Sequence, residues 1–226
     1  MTRPRPAPGG GRLLGVAPER LGRWLDGVAD RHGAFADVRV DDGALAVTCA
    51  DGTTVRLTAP EGWTAAPPLL TSFTAAVGEL RRTGVLLVRR GRWAVGVFFG
   101  AELEVSKVDA RQVQGRTAAG GWSQQRFARR RANQTDAVVG AAAGTAARVL
   151  LPHAAGLAAL AAGGDRGLVE EVLADPRLRP LAALPRLAPL DVGEPTKAVL
   201  LGTPAQFRAV LVHIVEPGDR AGASGG

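Results

Sequence analysis

The chain has no tyrosine, one cysteine, three histidines and almost no lysine, and each shortage narrows the chemistry open to it. A lone Cys49 excludes a disulfide within the chain and any cysteine-based zinc site. It stands in an alternating apolar run, where it reads as a small core residue. The histidines, His32, His153 and His213, fall at a helix end, beside a proline and in an apolar run. None has a serine-and-acid setting in the sequence, so a nucleophilic triad finds no support. Acids such as Asp191 and Glu194 are scattered, without metal-ligand spacing. Gly163-Gly164 lacks the lysine and the spacing of a phosphate-binding loop. No metal and no cofactor are expected.

Long apolar runs are missing too. The longest small-apolar stretch, Ala141–Ala162, is interrupted by Arg148, Pro152 and His153 and does not read as membrane-spanning. The first residues are proline, arginine and glycine without an apolar run, so 1–12 is expected to be a disordered lead, not a signal peptide. The expected setting is the cytoplasm, without a membrane partner.

What is present is positive charge. The formal charge is +7 and the pI about 11.1, a balance that suits a polyanionic partner. Arginine carries nearly all of it, since only Lys107 and Lys197 are lysines, and a planar guanidinium matches phosphate better than a point charge does. A genome-wide codon preference would also favour arginine, alanine and glycine, so the location of the charge matters more than its amount. It concentrates in Ala110–Thr135, which holds Arg111, Arg116, Arg126, Arg129, Arg130 and Arg131 and no acid.

At 226 residues the chain can form one large domain or two small ones. Helical spacing predicts a helix over Ala17–His32, ended by Gly33. A three-strand meander follows (Phe35–Val40, Ala44–Cys49, Thr53–Thr58), turned by Asp42-Gly43 and Asp51-Gly52. Pro60–Pro68 reads as a loop with Trp63 plugging the core edge, and Thr71–Arg82 as a helix burying Phe73, Val77 and Leu80. A second meander is expected at Val85–Arg89, Arg92–Phe99 and Glu102–Val108, its central run apolar on both faces. After the basic stretch come a long helix, a buried strand at Gly156–Ala162 and a helix at Asp165–Ala174. Leu187–Val192 and Lys197–Leu201 read as short strands. Pro204–Ile214 is ambiguous between helix and strand, and 217–226 is expected to be a disordered tail.

At about 100° per residue, Ala128, Ala132, Thr135, Val139, Ala142, Ala146 and Val149 share one arc of the long helix. Arg126, Arg129, Arg130 and Asn133 take the opposite arc, and Arg131 lies beside the seam. Ser123 suits the N-cap, which sets Gln124 and Gln125 at the first exposed N–H groups, where an anion or oxyanion is favoured. Glutamine is a poor acid or base, but an amide can place a water or stabilise an oxyanion. Two readings stand level on the residues alone: a reaching loop that carries an amide into another macromolecule's pocket, and a disordered basic loop whose glutamines solvate it. Between Arg111 and Ser123 only Trp122 could anchor a core, so this segment is expected to be mobile until bound.

Gly120-Gly121-Trp122-Ser123-Gln124 resembles the Gly-Gly-Ser-Gln loop of the Vms-like release factors of ribosome quality control, with Trp122 inserted. The following Gln125-Arg126-Phe127-Ala128-Arg129-Arg130-Arg131-Ala132-Asn133-Gln134 resembles that family's basic helix, with Gln134 where the family has an acid. The resemblance is to the short actinobacterial branch, relatives of the catalytic domain of eukaryotic and archaeal class I release factors, and it covers about 84–216. It implies an α+β or α/β fold, a ribonuclease-H-like mixed sheet with helices, with loop 111–123 in a catalytic domain at 84–216. A small helix-plus-meander subdomain at 13–83 would precede it. It implies a peptidyl-tRNA hydrolase that frees nascent chains on stalled large ribosomal subunits. Gln124 would place water at the ester, with Gln125 the alternative if Trp122 shifts the register. Gly120 and Gly121 would let the backbone approach, and the six arginines would grip RNA. The implied partners are large-subunit RNA and peptidyl-tRNA, met by a monomer, and no unfoldase partner carries over. Cleavage of the tRNA acceptor end, or RNA binding without catalysis, are the alternatives.

Overall fold

A computed structural model describes residues 4–60, 62–111 and 124–221, with only the backbone described over 124–135 and 220–221. The chain divides into two units, Met1–Glu79 with Arg208–Gly226, and Leu80–Phe207. Gly120, Gly121, Trp122, Ser123 and Arg116, and the expected mobility of their loop, therefore fall outside the described residues.

The first unit opens with strands β1 (Arg5–Pro6) and β2 (Arg12–Val16), where a disordered lead was expected. Their composition offers little to bury, but their backbone is paired: β1 with β2, and β2 with a strand from the far end of the chain. Proline is tolerated at β1 because it lies on a sheet edge. Helix α1 (Leu21–His32) follows a short 3-10 turn at Pro18–Arg20, buries Leu21, Leu25 and Val28 on one face, and ends at Gly33. Then come β3 (Phe35–Asp41), β4 (Ala44–Cys49) and β5 (Thr54–Thr58). Asp42 and Gly43 both take positive φ, as the first two-residue hairpin requires. Cys49 is a free, buried core residue.

Helix α2 (Leu69–Gly78) buries Phe73, on whose ring Trp63 packs edge-on at 5.2 Å. It stops four residues earlier than its apolar pattern suggests. Leu80, expected inside, is 55% exposed, because Arg82 is already paired with Phe99 in a strand.

The second unit is built on β6 (Arg82–Arg89), β7 (Arg92–Phe99) and β8 (Glu102–Ala110), an antiparallel meander. Helix α3 (Gln124–Leu150) carries the chain back to β9 (Ala159–Gly164), which pairs parallel to β6. The sheet order is β8-β7-β6-β9. The predicted strand at 187–192 makes only two bridges, Leu160↔Arg186 and Gly163↔Leu190, both parallel to β9. Pro185 and Pro189 supply no N–H there, which keeps the ladder from forming. Helix α4 (Arg166–Leu173) is N-capped by Asp165, and α5 (Arg179–Ala182) follows a tight turn. Lys197–Leu201, read as a strand, is helix α6 (Lys197–Gly202), because Thr196 caps it by accepting from the Val199 N–H. The ambiguous segment is both things in turn: α7 (Pro204–Phe207), then β10 (Val210–Val215).

Two apolar layers explain the apolar runs of β6 and β7. On one face Leu86, Val88, Trp93, Val95 and Val97 meet α3 and α4; on the other Val85, Leu87, Ala94 and Phe98 meet Leu190, Val192 and Leu200. A strand covered on both sides cannot alternate with polar residues.

Strand β10 does not belong to the second unit. It lies between β2 and β5 in a six-stranded sheet ordered β1-β2-β10-β5-β4-β3. The expected division at 83/84, with one domain running on to 216, is corrected accordingly: burial of Val210, Val212 and Ile214 in the first unit's core draws the C-terminal strand there. The expected disordered tail begins with a short helix, α8 (Pro217–Ala221).

Asp175 illustrates a local cap with a measurable consequence. It accepts from the Arg177 side chain at 2.9 and 2.7 Å and from the Arg177 N–H at 2.9 Å, which lowers its pKa from 3.8 to about 2. A depressed carboxyl contributes stability above its unfolded pKa and loses it as pH falls through the folded one. Asp175→Asn should therefore lose less stability than the wild type between pH 3.8 and 2, read by chemical denaturation at each pH. Parallel acid limbs would show that this pair adds nothing.

Candidate functional site

The basic stretch is framed by β8 and α3, and both ends of the frame are fixed. The last ladder pair of β8 is Ala110 with Arg92. One residue on, the Arg111 N–H donates to the Gly91 carbonyl at 2.7 Å, tying the strand end to the β6–β7 turn. The exposed Arg111 side chain donates to the Ala137 carbonyl of α3 at 3.3 Å. One side chain thus joins the start of the segment to the helix 26 positions later. Closing a loop of that length costs little more than closing a short one, because the entropy grows only with the logarithm of length.

Helix α3 has 27 residues, about 40 Å at 1.5 Å per residue. From Val138 on it lies against the sheet through Ala142, Ala143, Ala146, Val149 and Leu150. Of the seam expected from periodicity, Ala142, Ala146 and Val149 are buried here and Val139 packs against them, joined by Val138, Ala143 and Leu150, while the side chains of Ala128, Ala132 and Thr135 lie outside what is described. The stretch from Asp136 to Gly156 is apolar and long enough to cross a membrane by composition, but these contacts make it a core helix. Gln124 is its first residue, with Gln125, Arg126, Arg129, Arg130 and Arg131 on the same continuous backbone. Their side chains, the Gln124/Gln125 register included, lie outside what is described.

One polar contact sets the helix on the sheet. Trp93, on β7 and only 3% exposed, donates through Nε1 to Thr145 Oγ1 at 3.0 Å. Thr145 donates in turn to the Ala141 carbonyl at 3.0 Å, and Arg148 donates to the same hydroxyl at 3.3 Å. Alanine packing alone is nearly smooth along the helix axis; a directional bond between buried groups is not. Nothing in the sequence pairs positions 93 and 145, so this contact was not foreseen.

Two of the histidines, His32 and His213, make structural contacts that the sequence did not reveal. His32 Nδ1 lies 2.9 Å from Asp51 Oδ2 and 3.1 Å from Thr53 Oγ1, an acid and a hydroxyl that the fold brings together. Both meet the same ring nitrogen. A nucleophile–base–acid relay needs them on opposite nitrogens, so the cluster fastens the end of α1 to the β4–β5 hairpin. The hydrogen bond that the Asp51 carboxylate accepts from the Thr53 N–H, and then its contact with His32, hold its carboxyl below the usual range. His213 Nε2 meets the Gly10 carbonyl at 2.9 Å. Among the described residues no three His, Cys, Asp or Glu converge as metal ligands.

The second unit is a mixed α/β domain whose edge strand and longest helix hold a basic, glycine-containing segment between them. The chain belongs to the Actinobacteria/chloroflexi VLRF1 release factor family, whose model matches residues 81–213. That span includes β8, the basic stretch and all of α3. Among solved structures, the archaeal translation termination factor aRF1 is similar at 16% identity with a TM-score of 0.38, over 87% of this chain and 66% of that one. A second structure, described as an archaeal protein, is similar at 18% identity and a TM-score of 0.28, over 72% of this chain and 52% of that one. The chain thus spans less than two thirds of the length of either. No curated protein matches it significantly.

The Trp93–Thr145 contact can be tested on stability. Thr145→Val leaves a buried N–H without an acceptor and should cost about 1–3 kcal/mol. In the Trp93→Phe background the same change should cost clearly less, which a double-mutant cycle by urea denaturation would read. Additive losses would remove this bond as the feature that fixes the helix.

Proposed function

We propose that the protein is a peptidyl-tRNA hydrolase that frees nascent chains on stalled large ribosomal subunits in the cytoplasm. The observation that carries this reading is the release-factor family match over 81–213, a span that contains Gly120-Gly121-Trp122-Ser123-Gln124 and its basic helix. Family membership supports a role at the ribosome; the ester as substrate and the glutamine as the acting residue are our own reading.

In this mechanism the 112–123 segment enters the peptidyl-transferase centre. Gly120 and Gly121 admit the backbone to a crowded RNA pocket. The Gln124 amide positions a water against the carbonyl carbon of the ester between peptide and tRNA. Water adds, the bond to the tRNA 3′ oxygen breaks, and that oxygen leaves as a hydroxyl. Ribosomal RNA supplies the surrounding electrostatics, so the protein needs no acid–base pair and no cofactor of its own. Arg111, Arg116, Arg126, Arg129, Arg130 and Arg131 hold RNA phosphates, and the protein acts as a monomer.

The strand order supports a ribonuclease-H-like core. Three antiparallel strands are followed, after a helix, by a fourth parallel to the first, with a rudimentary fifth at 186–190. On this reading the unit Leu80–Phe207 is the catalytic one.

Gln124→Ala should lower peptide release from stalled subunits about 100-fold or more while subunit binding survives, the usual scale for losing one water-placing or oxyanion contact. Gln125→Ala is the paired control, and loss confined to it would move the active amide one residue on. The released tRNA should keep an intact CCA end; a shortened end would mean acceptor-end cleavage, and no release at all a binding module.

The arginine face gives a separate test. Replacing Arg126, Arg129 and Arg130 with alanine should leave thermal stability unchanged. It should also flatten the salt dependence of subunit binding by about one unit of slope per lost phosphate contact. Early melting, or an unchanged slope, would make these arginines structural.

A further inference from the structure

We propose that the end of the sheet from which residues 112–123 depart is a second RNA-contacting surface, in which Arg90 and Arg166 join Arg111. It rests on the RNA partner proposed above and extends it to two residues outside the loop and its helix.

The three arginines come from three chain segments that the backbone ties together. The Arg111 N–H donates to the Gly91 carbonyl, so the end of β8 sits on the turn that carries Arg90. On the other side of β6, the Asp165 N–H donates to the Val88 carbonyl at 2.8 Å and brings the first residue of α4, Arg166, to the same turn. The approach there is close. Gly164 has φ +100°, and a Cβ on it would stand 2.2 Å from the Val88 oxygen. Each arginine is therefore placed by a fixed backbone position. From β9 across β6 and β7 to β8 is three strand spacings, about 14 Å, wide enough to meet several phosphates of one strand. This is also the carboxyl end of the parallel pair β6 and β9, where α/β sheets receive ligands.

All three side chains are exposed, and among the described residues none meets a carboxylate. Arg111 gives one N–H to a neutral carbonyl, which leaves its charge uncancelled, and the neighbouring Arg89 does the same toward Val192 at 2.9 Å. The acids at this end are engaged elsewhere or stand apart. Asp165 caps α4, Asp109 accepts from the Ala110 N–H and lies 4.0 Å from Lys107, and Glu194 pairs with Arg92. Asp136 and Asp191 are exposed and, among the described residues, hold no arginine.

The opposite end of the sheet shows how this fold treats an arginine it needs for itself. Arg82 gives two N–H groups to Glu104 at 2.8 and 2.9 Å and covers the Phe99 ring at 5.7 Å. Arg90 and Arg166 have no such partners among the described residues, and a solvated guanidinium held on a rigid turn is free to take a phosphate. Contacts here would seat the unit on RNA next to the point where residues 112–123 leave the sheet.

The test is the double variant Arg90→Ala/Arg166→Ala, run beside the triple variant of Arg126, Arg129 and Arg130. Each is bound over a salt series to large ribosomal subunits and to protein-free large-subunit RNA, with thermal melting as the fold control. The expected result is unchanged melting and a slope shallower by up to about two units on both probes, restored by Arg90→Lys/Arg166→Lys. If the double variant keeps the wild-type slope while the triple variant loses it, the RNA reading stands and this surface is wrong. Loss on subunits but not on protein-free RNA would give the surface to an acidic protein and overturn the assignment. Salt-independent binding by the wild type would remove the RNA partner, and this surface with it.

Discussion

The position of α3 on the sheet is the constraint on which the rest of the second unit depends. A helix that packs through alanines gains close approach and dispersion contacts but little resistance to sliding. The hydrogen bond from Trp93 to Thr145 supplies that resistance, since moving the helix by one turn would leave a buried indole N–H unpaired. Everything on the helix follows from that setting. Gln124 stands 21 residues before Thr145 on the continuous helix, about 30 Å along its axis.

The same logic governs the ends of the basic stretch. Among the described residues β8 is an edge strand, with a row of unpaired backbone groups on one side. Here the Arg111 backbone is held by Gly91 and its side chain by Ala137, so the edge is pinned where the segment departs. This pinned base lies within the span matched by the VLRF1 release factor family model.

The first unit shows a different dependence. Its sheet is completed by a strand that arrives only after the whole second unit, and β10 lies at its centre with β2 on one side and β5 on the other. The second unit is in effect inserted between α2 and β10. Its strands all lie within one continuous stretch, whereas the first unit's sheet also needs residues 210–215, a long-range pairing of the kind that slows folding.

The sequence by itself determined the strands of both meanders, the long helix and the small-residue face of its later turns, the end of α1 at Gly33, and the concentration of arginine around Gly120–Gln124. Those are local or periodic facts: two-residue turns, alternation, helical spacing and charge do not depend on distant residues. It also carried the family resemblance, because that rests on contiguous residues. Only the tertiary structure decided where β10 goes, since an apolar run such as Val210–Val215 fits either sheet until a partner edge is available. It decided that 197–202 is a helix, because a six-residue apolar segment has no period long enough to read and its Thr196 cap tips the balance. It stopped α2 early, because pairing Arg82 with Phe99 outweighs a favourable helical pattern. And it set Trp93 against Thr145, and Arg90 beside Arg111 and Arg166, because contacts between residues far apart in the chain leave no mark in the spacing of either.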